Sequence, residues 1–249
     1  MLSLSVLGDS AVEHYRGSFR NPAMWAPLRA GAVSLVLNLM RVFGKGKGTK
    51  LADFTTLITG AAGLAFHTYN IAKRPGSPTL NGLFYGAPIG APAALVLAGC
   101  LGAAAGEFST RPVDHGVNFS NPRLVGAASA VGLLGSVGEA GLLHFRGAYH
   151  NPFMWTPIIL PPVAATMLGR DIVARTPHRS TAIALFGTAA MGLVGAGFHV
   201  FGVARNMGGW RNWRQNLLAG PPIPAPPAFT GLALAGLGAL LAMRRGSRA

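Results

Sequence analysis

Apolar residues run along this chain in long blocks, and the polar residues gather in short stretches between them. A membrane-crossing helix needs about 20 mostly apolar residues. Seven blocks come close: Pro22–Val42, Leu51–Ala72, Leu83–Ala105, Leu124–His144, Pro152–Leu168, Ser180–Ala204 and Pro226–Met243. The opening segment, Met1–Tyr15, is shorter. As a helix it reaches about 22 Å at 1.5 Å per residue, which makes it a partial or tilted span, or one that depends on a partner. The pattern predicts an all-α polytopic membrane helix bundle of 7–8 transmembrane helices.

The same blocks recur in the same order. His14-Tyr-Arg-Gly-Ser-Phe-Arg-Asn-Pro-Ala-Met-Trp-Ala-Pro27 matches His144-Phe-Arg-Gly-Ala-Tyr-His-Asn-Pro-Phe-Met-Trp-Thr-Pro157, and Gly8-Asp9 matches Gly138-Glu139. Further on, Gly63-Leu-Ala-Phe-His67 matches Gly195-Ala-Gly-Phe-His199, with Lys73 against Arg205. Gly86-Ala-Pro-Ile-Gly-Ala-Pro92 then matches Gly220-Pro-Pro-Ile-Pro-Ala-Pro226. Chance similarity between apolar sequences does not keep His, Arg, Asn, Pro and Trp in register. The expected organisation is two tandem repeats of about four helices, 1–105 and 124–249, joined by a polar linker, 106–123. An even number of helices per repeat makes the copies parallel, related by an axis along the membrane normal.

Composition agrees with a membrane setting. Half of the 249 residues are hydrophobic and only 11% are charged, against about a quarter in soluble domains. The net charge of +14 raises nucleic acid as a partner. The cations, however, fall in short clusters between apolar runs instead of forming one basic face, so no nucleic-acid partner is expected. Cys100 is the only cysteine, which excludes an internal disulfide and cysteine-rich metal sites. The first fifteen residues lack the basic stretch of a secretory signal.

If all eight segments cross, the motif loops 16–21, 73–82, 146–151 and 205–221 share one face and carry eight Lys and Arg. The opposite loops and the C-terminus carry twelve. The positive-inside rule then puts the C-terminus in the cytoplasm and the motif loops outside. A bacterial inner membrane is the expected location.

The chemistry is expected at the motif end. His14, His67, His144 and His199 each lie near that end of an apolar segment. Ionisable groups at membrane depth are costly and mark function by default. Neutral imidazole suits haem iron or another metal. Two helices offering one His each match a b-type haem with two axial imidazoles. The expectation is two haems, with His14 and His67 on one and His144 and His199 on the other. Arg16 and Arg146 are placed to pair with haem propionates. Asp9 and Glu139, each five residues before its His, are candidates for a proton relay or for orienting a ligand. Their alternative is a carboxylate satisfied by a neighbouring helix, for instance by Arg29.

The loop between the repeated His and Trp reads as structure. Gly17 and Gly147 permit positive φ, Asn21 and Asn151 suit helix N-caps, and Pro22 and Pro152 suit first turns. Trp25 and Trp155 fit the interfacial aromatic belt. The glycines at 60–63 and 192–197 offer either tight helix packing or space for a flat cofactor. The Pro-rich blocks at 86–92 and 220–227 open the last helix of each repeat, with a quinone or substrate pocket as the sharper reading. His115, His150 and His178 have no counterpart and read as solvated; Asp53 reads as a helix-start carboxylate.

Together these features predict a membrane electron-transfer subunit that links a quinone to a peripheral redox partner through two b-type haems near the outer face. The alternatives are a parallel-repeat permease for an anionic solute, or a structural or pigment-binding subunit of a larger membrane complex. No nucleophile–base arrangement for hydrolysis is evident, so a non-catalytic subunit is expected.

Overall fold

The computed structural model describes residues 1–45, 49–76, 79, 82, 86, 88–108 and 120–246. Among these residues every regular element is helical. The helices are α1 (Leu2–Arg16), α2 (Ala26–Val42), α3 (Lys50–Ala72), α4 (Gly90–Phe108), α5 (Pro122–Arg146), α6 (Thr156–Ala174), α7 (Arg179–Arg205), the short α8 (Trp213–Ala219) and α9 (Pro227–Gly246). Short 3-10 turns at Pro22–Trp25, Pro152–Trp155 and Gly209–Asn212 lead into α2, α6 and α8.

Six segments are long and apolar enough to cross a membrane: Pro22–Val42, Gly90–Phe108, Pro122–Arg146, Pro152–Ala174, Arg179–Arg205 and Pro227–Arg245. The protein is a membrane protein whose outward faces suit a lipid bilayer, with Val36, Ile58, Val131, Ile159, Val173 and Phe186 all exposed. The sequence expectation of seven full blocks is met at six. α3 has 23 residues but is not among the six, because Asp53, its threonines, His67 and Asn70 dilute its apolar character. α1, at 15 residues, is not among them either. Of the block expected to open at Leu83, Gly90–Phe108 is helical, and 83–85 and 87 lie outside the described residues. Most of the linker 106–123, with His115, and part of the 44–50 loop lie outside the described residues.

The helices pack in two rings. α1 lies on α2, α2 on α3, α3 on α4, and α4 returns to α1 and α2. Likewise α5 lies on α6, α6 on α7, α7 on α9, and α9 returns to α5. The rings meet crosswise: α1 rests against α9, and α4 against α5. The core at this junction includes Leu2, Val6, Leu95, Leu133, Leu168, Leu185, Phe229 and Leu232. Small residues permit the close approaches. A Cβ on Gly231 of α9 would fall 2.5 Å from the backbone nitrogen of Leu2.

At the end opposite the repeated histidines, two buried carboxylates fasten the rings. Asp53 in the first turn of α3 is 1% exposed and paired with Arg41 of α2, which also bonds Thr49. It is thus more than a helix-start carboxylate. Asp171 of α6 is fully buried and accepts hydrogen bonds from Arg170 and from the backbone N–H of His178 at 2.8 Å. His178 Nδ1 lies 2.8 Å from the same carboxylate. His178 is exposed, as expected, and its imidazole is also one of the donors that this buried carboxylate needs. His150 is exposed, as expected, with Nδ1 2.9 Å from the Gly147 carbonyl.

Candidate functional site

α1 and α5 end in the same way. After His14 the chain reverses through Ser18 (φ 56°) and Phe19 (φ 47°); after His144 it reverses through Ala148 (φ 56°) and Tyr149 (φ 46°). The backbone N–H groups of Phe19 and Tyr149 each donate back to the His carbonyl at 3.1 Å. The expected positive φ at the two glycines is not found: Gly17 has φ −77° and Gly147 φ −83°. The left-handed residues are the next two. The glycines instead leave room for methionine, since added Cβ atoms would fall 2.7 Å from Met24 Cε and 3.0 Å from Met154 Cε.

Asn21 and Asn151 cap the following turns as expected, accepting from the N–H of Ala23 at 2.9 Å and of Phe153 at 3.0 Å. Phe19 stacks on Trp25 with ring centroids 4.3 Å apart, and Tyr149 stacks on Trp155 at 4.2 Å. Both tryptophans are about half exposed, at 46% and 47%, as an interfacial belt requires.

These loops place the histidines. His144 Nδ1 lies 2.8 Å from the Met154 carbonyl oxygen, whereas His14 Nδ1, near the equivalent Met24 carbonyl, is buried without a hydrogen bond among the described residues. His67 Nδ1 lies 2.6 Å from the Pro88 carbonyl, and His199 Nδ1 lies 2.7 Å from the Pro222 carbonyl. A carbonyl oxygen only accepts, so Nδ1 carries the proton and donates. Nε2 is then left as the lone-pair nitrogen. The Pro222 carbonyl, in the non-helical stretch ahead of α9, is shared with the backbone N–H of Ala225 at 3.2 Å.

His14 and His67 lie within electrostatic reach of each other, and so do His144 and His199. Among the described residues no three His, Cys, Asp or Glu side chains group as a metal site would require.

Arg16 is exposed at the end of α1. Its guanidinium donates to the Glu13 carboxylate and to the Leu218 carbonyl of α8. Arg146 is exposed at the matching end of α5. Asp9 and Glu139 face the junction between the rings, where Asp9 feels Glu139, Glu13 and Arg16, and Glu139 feels Glu13. Arg29, the neighbour considered for Asp9, is exposed on α2. The Glu139 carboxylate sits on Gly90, where an added Cβ would fall 1.8 Å from Oε2.

The glycine clusters are closed by helix packing. A Cβ on Gly60 would fall 2.9 Å from the Pro92 carbonyl oxygen, and one on Gly192 2.7 Å from that of Pro226. Gly63 and Gly195 abut the Pro92 and Pro226 rings at 3.3 and 3.1 Å. These four positions hold α4 and α9 close, and a flat cofactor does not fit at them.

Sequence reasoning missed Glu13 and the α8 segment. Glu13 has no acidic counterpart, because Leu143 stands there. α8 crosses from one ring to the end of α1, with Arg214 5.6 Å from the centre of the Tyr15 ring. Neither carries a repeated signal. Comparison of the chain with known protein families, with curated proteins and with solved structures finds no match.

Proposed function

We propose that this chain is a duplicated membrane electron-transfer subunit whose two imidazole pairs each hold a b-type haem. One observation carries the reading. Three of the four histidines at matching positions, His67, His144 and His199, commit Nδ1 to a backbone carbonyl, which leaves Nε2 as a fixed lone-pair donor. Metal-ligating histidines are held in this way by their other ring nitrogen. Two imidazoles per site suit haem, which brings four nitrogens of its own. A bare zinc ion asks for three or four protein ligands.

In this reading the two rings are tandem copies of one four-helix unit, and α1 and α3 complete a set of eight crossings. The histidine end faces outward and the C-terminus faces the cytoplasm of a bacterial inner membrane, following the balance of cations between the two ends. When bound, the haems would pass single electrons between a quinone and a peripheral redox partner. The chain's own residues orient the imidazoles of His67, His144 and His199, and the Phe19–Trp25 and Tyr149–Trp155 stacks stand edge-on to His14 and His144.

A second reading rests on the same bonds. The Nδ1–carbonyl contacts tie each helix to the segment that follows it, and the glycines at 60 and 192 close the packing. These are also the features of a rigid scaffold subunit in a larger membrane complex.

An absorption spectrum of protein purified from haem-supplied cells separates the two. The haem reading expects a Soret band, two haems per chain, and loss of about half the signal in His67→Ala and in His199→Ala. No band, before or after reconstitution with haem, would leave the scaffold.

A further inference from the structure

All four tryptophans of the chain lie at the histidine end. Trp25 and Trp155 stand in the loops after α1 and α5, while Trp210 and Trp213 stand where the 3-10 turn after α7 runs into α8. Arg214 over the Tyr15 ring and Arg16 on the Leu218 carbonyl bring α8 to the end of α1. The four indoles are 46, 47, 49 and 57% exposed in chain order. Tryptophan gathers at the headgroup layer of a bilayer, where its apolar ring and its N–H are both accommodated. This rim of the bundle is therefore at headgroup depth.

Trp25 and Trp155 are repeated and have a packing role on Phe19 and Tyr149. Trp210 and Trp213 are not repeated. With the rings aligned on their shared motifs, which rests on the duplication reading above, 205–220 stands against 73–86, which has no tryptophan and no cation beyond Arg74. The architecture therefore does not call for them. Nor is their turn a loose one. Asn216, only 5% exposed, donates from its amide to the Met207 carbonyl at 3.1 Å and to the Gly209 carbonyl at 2.8 Å. Gly208 and Gly209 supply the left-handed backbone, at φ 81° and 51°. Yet every residue of 210–215 is exposed.

Charge decides what this firm, exposed turn fits. Trp210 and Trp213 are three residues apart, and so are Arg211 and Arg214, so each pair lies side by side on the helical surface. No Asp or Glu follows Asp171 in the chain, and Glu13, at the end of α1, is taken by Arg16. The ion pairs among the described residues involve neither Arg211 nor Arg214. Two guanidiniums beside two indoles, at headgroup depth, suit a phosphodiester with its glycerol and upper acyl chain. An ammonium on a zwitterionic lipid would meet the same cations with no carboxylate to receive it. A soluble acidic protein would find the cations, but it gives no reason for indoles at this depth.

We propose that 210–215 is a binding site for an anionic phospholipid, with Arg211 and Arg214 on the phosphodiester and Trp210 and Trp213 against the glycerol and upper acyl chain. The bound lipid lies on the segment that ties α8 to α1 through Arg16 and the Leu218 carbonyl. The site needs no haem, so it stands or falls independently of the Soret band.

The test equilibrates the full chain in detergent with equal amounts of phosphatidylglycerol and phosphatidylcholine and reads bound lipid by native mass spectrometry. A cation near an anionic lipid surface is worth roughly a factor of five, so the wild type is expected to prefer phosphatidylglycerol by about tenfold or more. Arg211→Gln/Arg214→Gln is expected to abolish the preference, and Arg211→Gln alone, which disturbs no ion pair, to lower it by about fivefold; the single variant keeps the test available if the double does not fold. Arg175→Gln/Arg179→Gln removes the same charge at the opposite end and should leave the preference intact. Equal retention of the two lipids by the wild type would overturn the proposal and leave the cations to an acidic protein. An equal loss in the opposite-end variant would overturn it by showing a net-charge effect. So would displacement of the lipid by excess glycerol phosphate, which would mark a site for soluble phosphate, or an undiminished preference in an Arg211→Gln/Arg214→Gln protein that elutes and melts like the parent.

Discussion

Gly60 of α3 lies against Val96 of α4 so closely that a Cβ on the glycine would sit 2.5 Å from the Val96 backbone nitrogen. The obstacle is main chain, which cannot swing away as a side chain would. Gly60→Ala is therefore expected to push α3 from α4 and to destabilise the protein by about 1–3 kcal/mol, the usual range for overpacking. Thermal unfolding in detergent measures it. Gly238→Ala, where nothing lies within 4 Å of the new Cβ, should leave the midpoint unchanged.

The Arg41–Asp53 pair supplies a second prediction. Asp53→Ala strands a guanidinium that is only 9% exposed, and removing one partner of a buried pair costs about 3–5 kcal/mol. The double variant Arg41→Met/Asp53→Leu should recover most of that loss, since it replaces both charges with apolar volume. A double-mutant cycle on unfolding midpoints gives the comparison; a double variant no better than Asp53→Ala would show that the charges were not acting as a pair.

Asn21 and Asn151 hold their caps with nearly equal geometry. Each Asn→Ala change should cost about 1 kcal/mol, the typical value of an N-cap. Equal shifts in the unfolding midpoint for the two variants, additive in the double variant, are expected because the caps lie in separate loops.

The reversals after α1 and α5 give a result opposite to ordinary intuition about loop glycines. Gly17→Ala should be nearly neutral, because its φ is −77° and the atom in the way is the mobile methyl of Met24. Ala148→Gly should stabilise, because φ is 56° there and a left-handed conformation costs a non-glycine residue about 1–2 kcal/mol. Chemical denaturation of the two single variants decides the signs.

The helices and their order were legible because long apolar runs leave few alternatives in a chain so poor in charge. The matching placement of His67 and His199 at the ends of α3 and α7, each bonded to a proline carbonyl, agrees with the repeated spacing. The bonds from Nδ1 were not legible, since the accepting carbonyls at Pro88 and Pro222 lie 21 and 23 residues away and depend on irregular backbone. The left-handed positions were misplaced by one residue because glycine is the usual occupant of positive φ, whereas here its missing side chain makes room for Met24 and Met154. The bond from exposed His178 to Asp171 was not legible because that carboxylate belongs to the preceding helix and lies hidden inside the bundle.

The tether between Arg16 and the Leu218 carbonyl joins the end of the first helix to a segment more than two hundred residues downstream. Such a stitch makes the outer rim a late event in assembly: α1 has no strap until ribosome and insertion machinery have delivered almost the whole polypeptide. A truncation that stops before α8 would therefore release a bundle with an unfastened lip, open to membrane quality-control proteases at Tyr15–Arg20 even when its earlier helices have already docked.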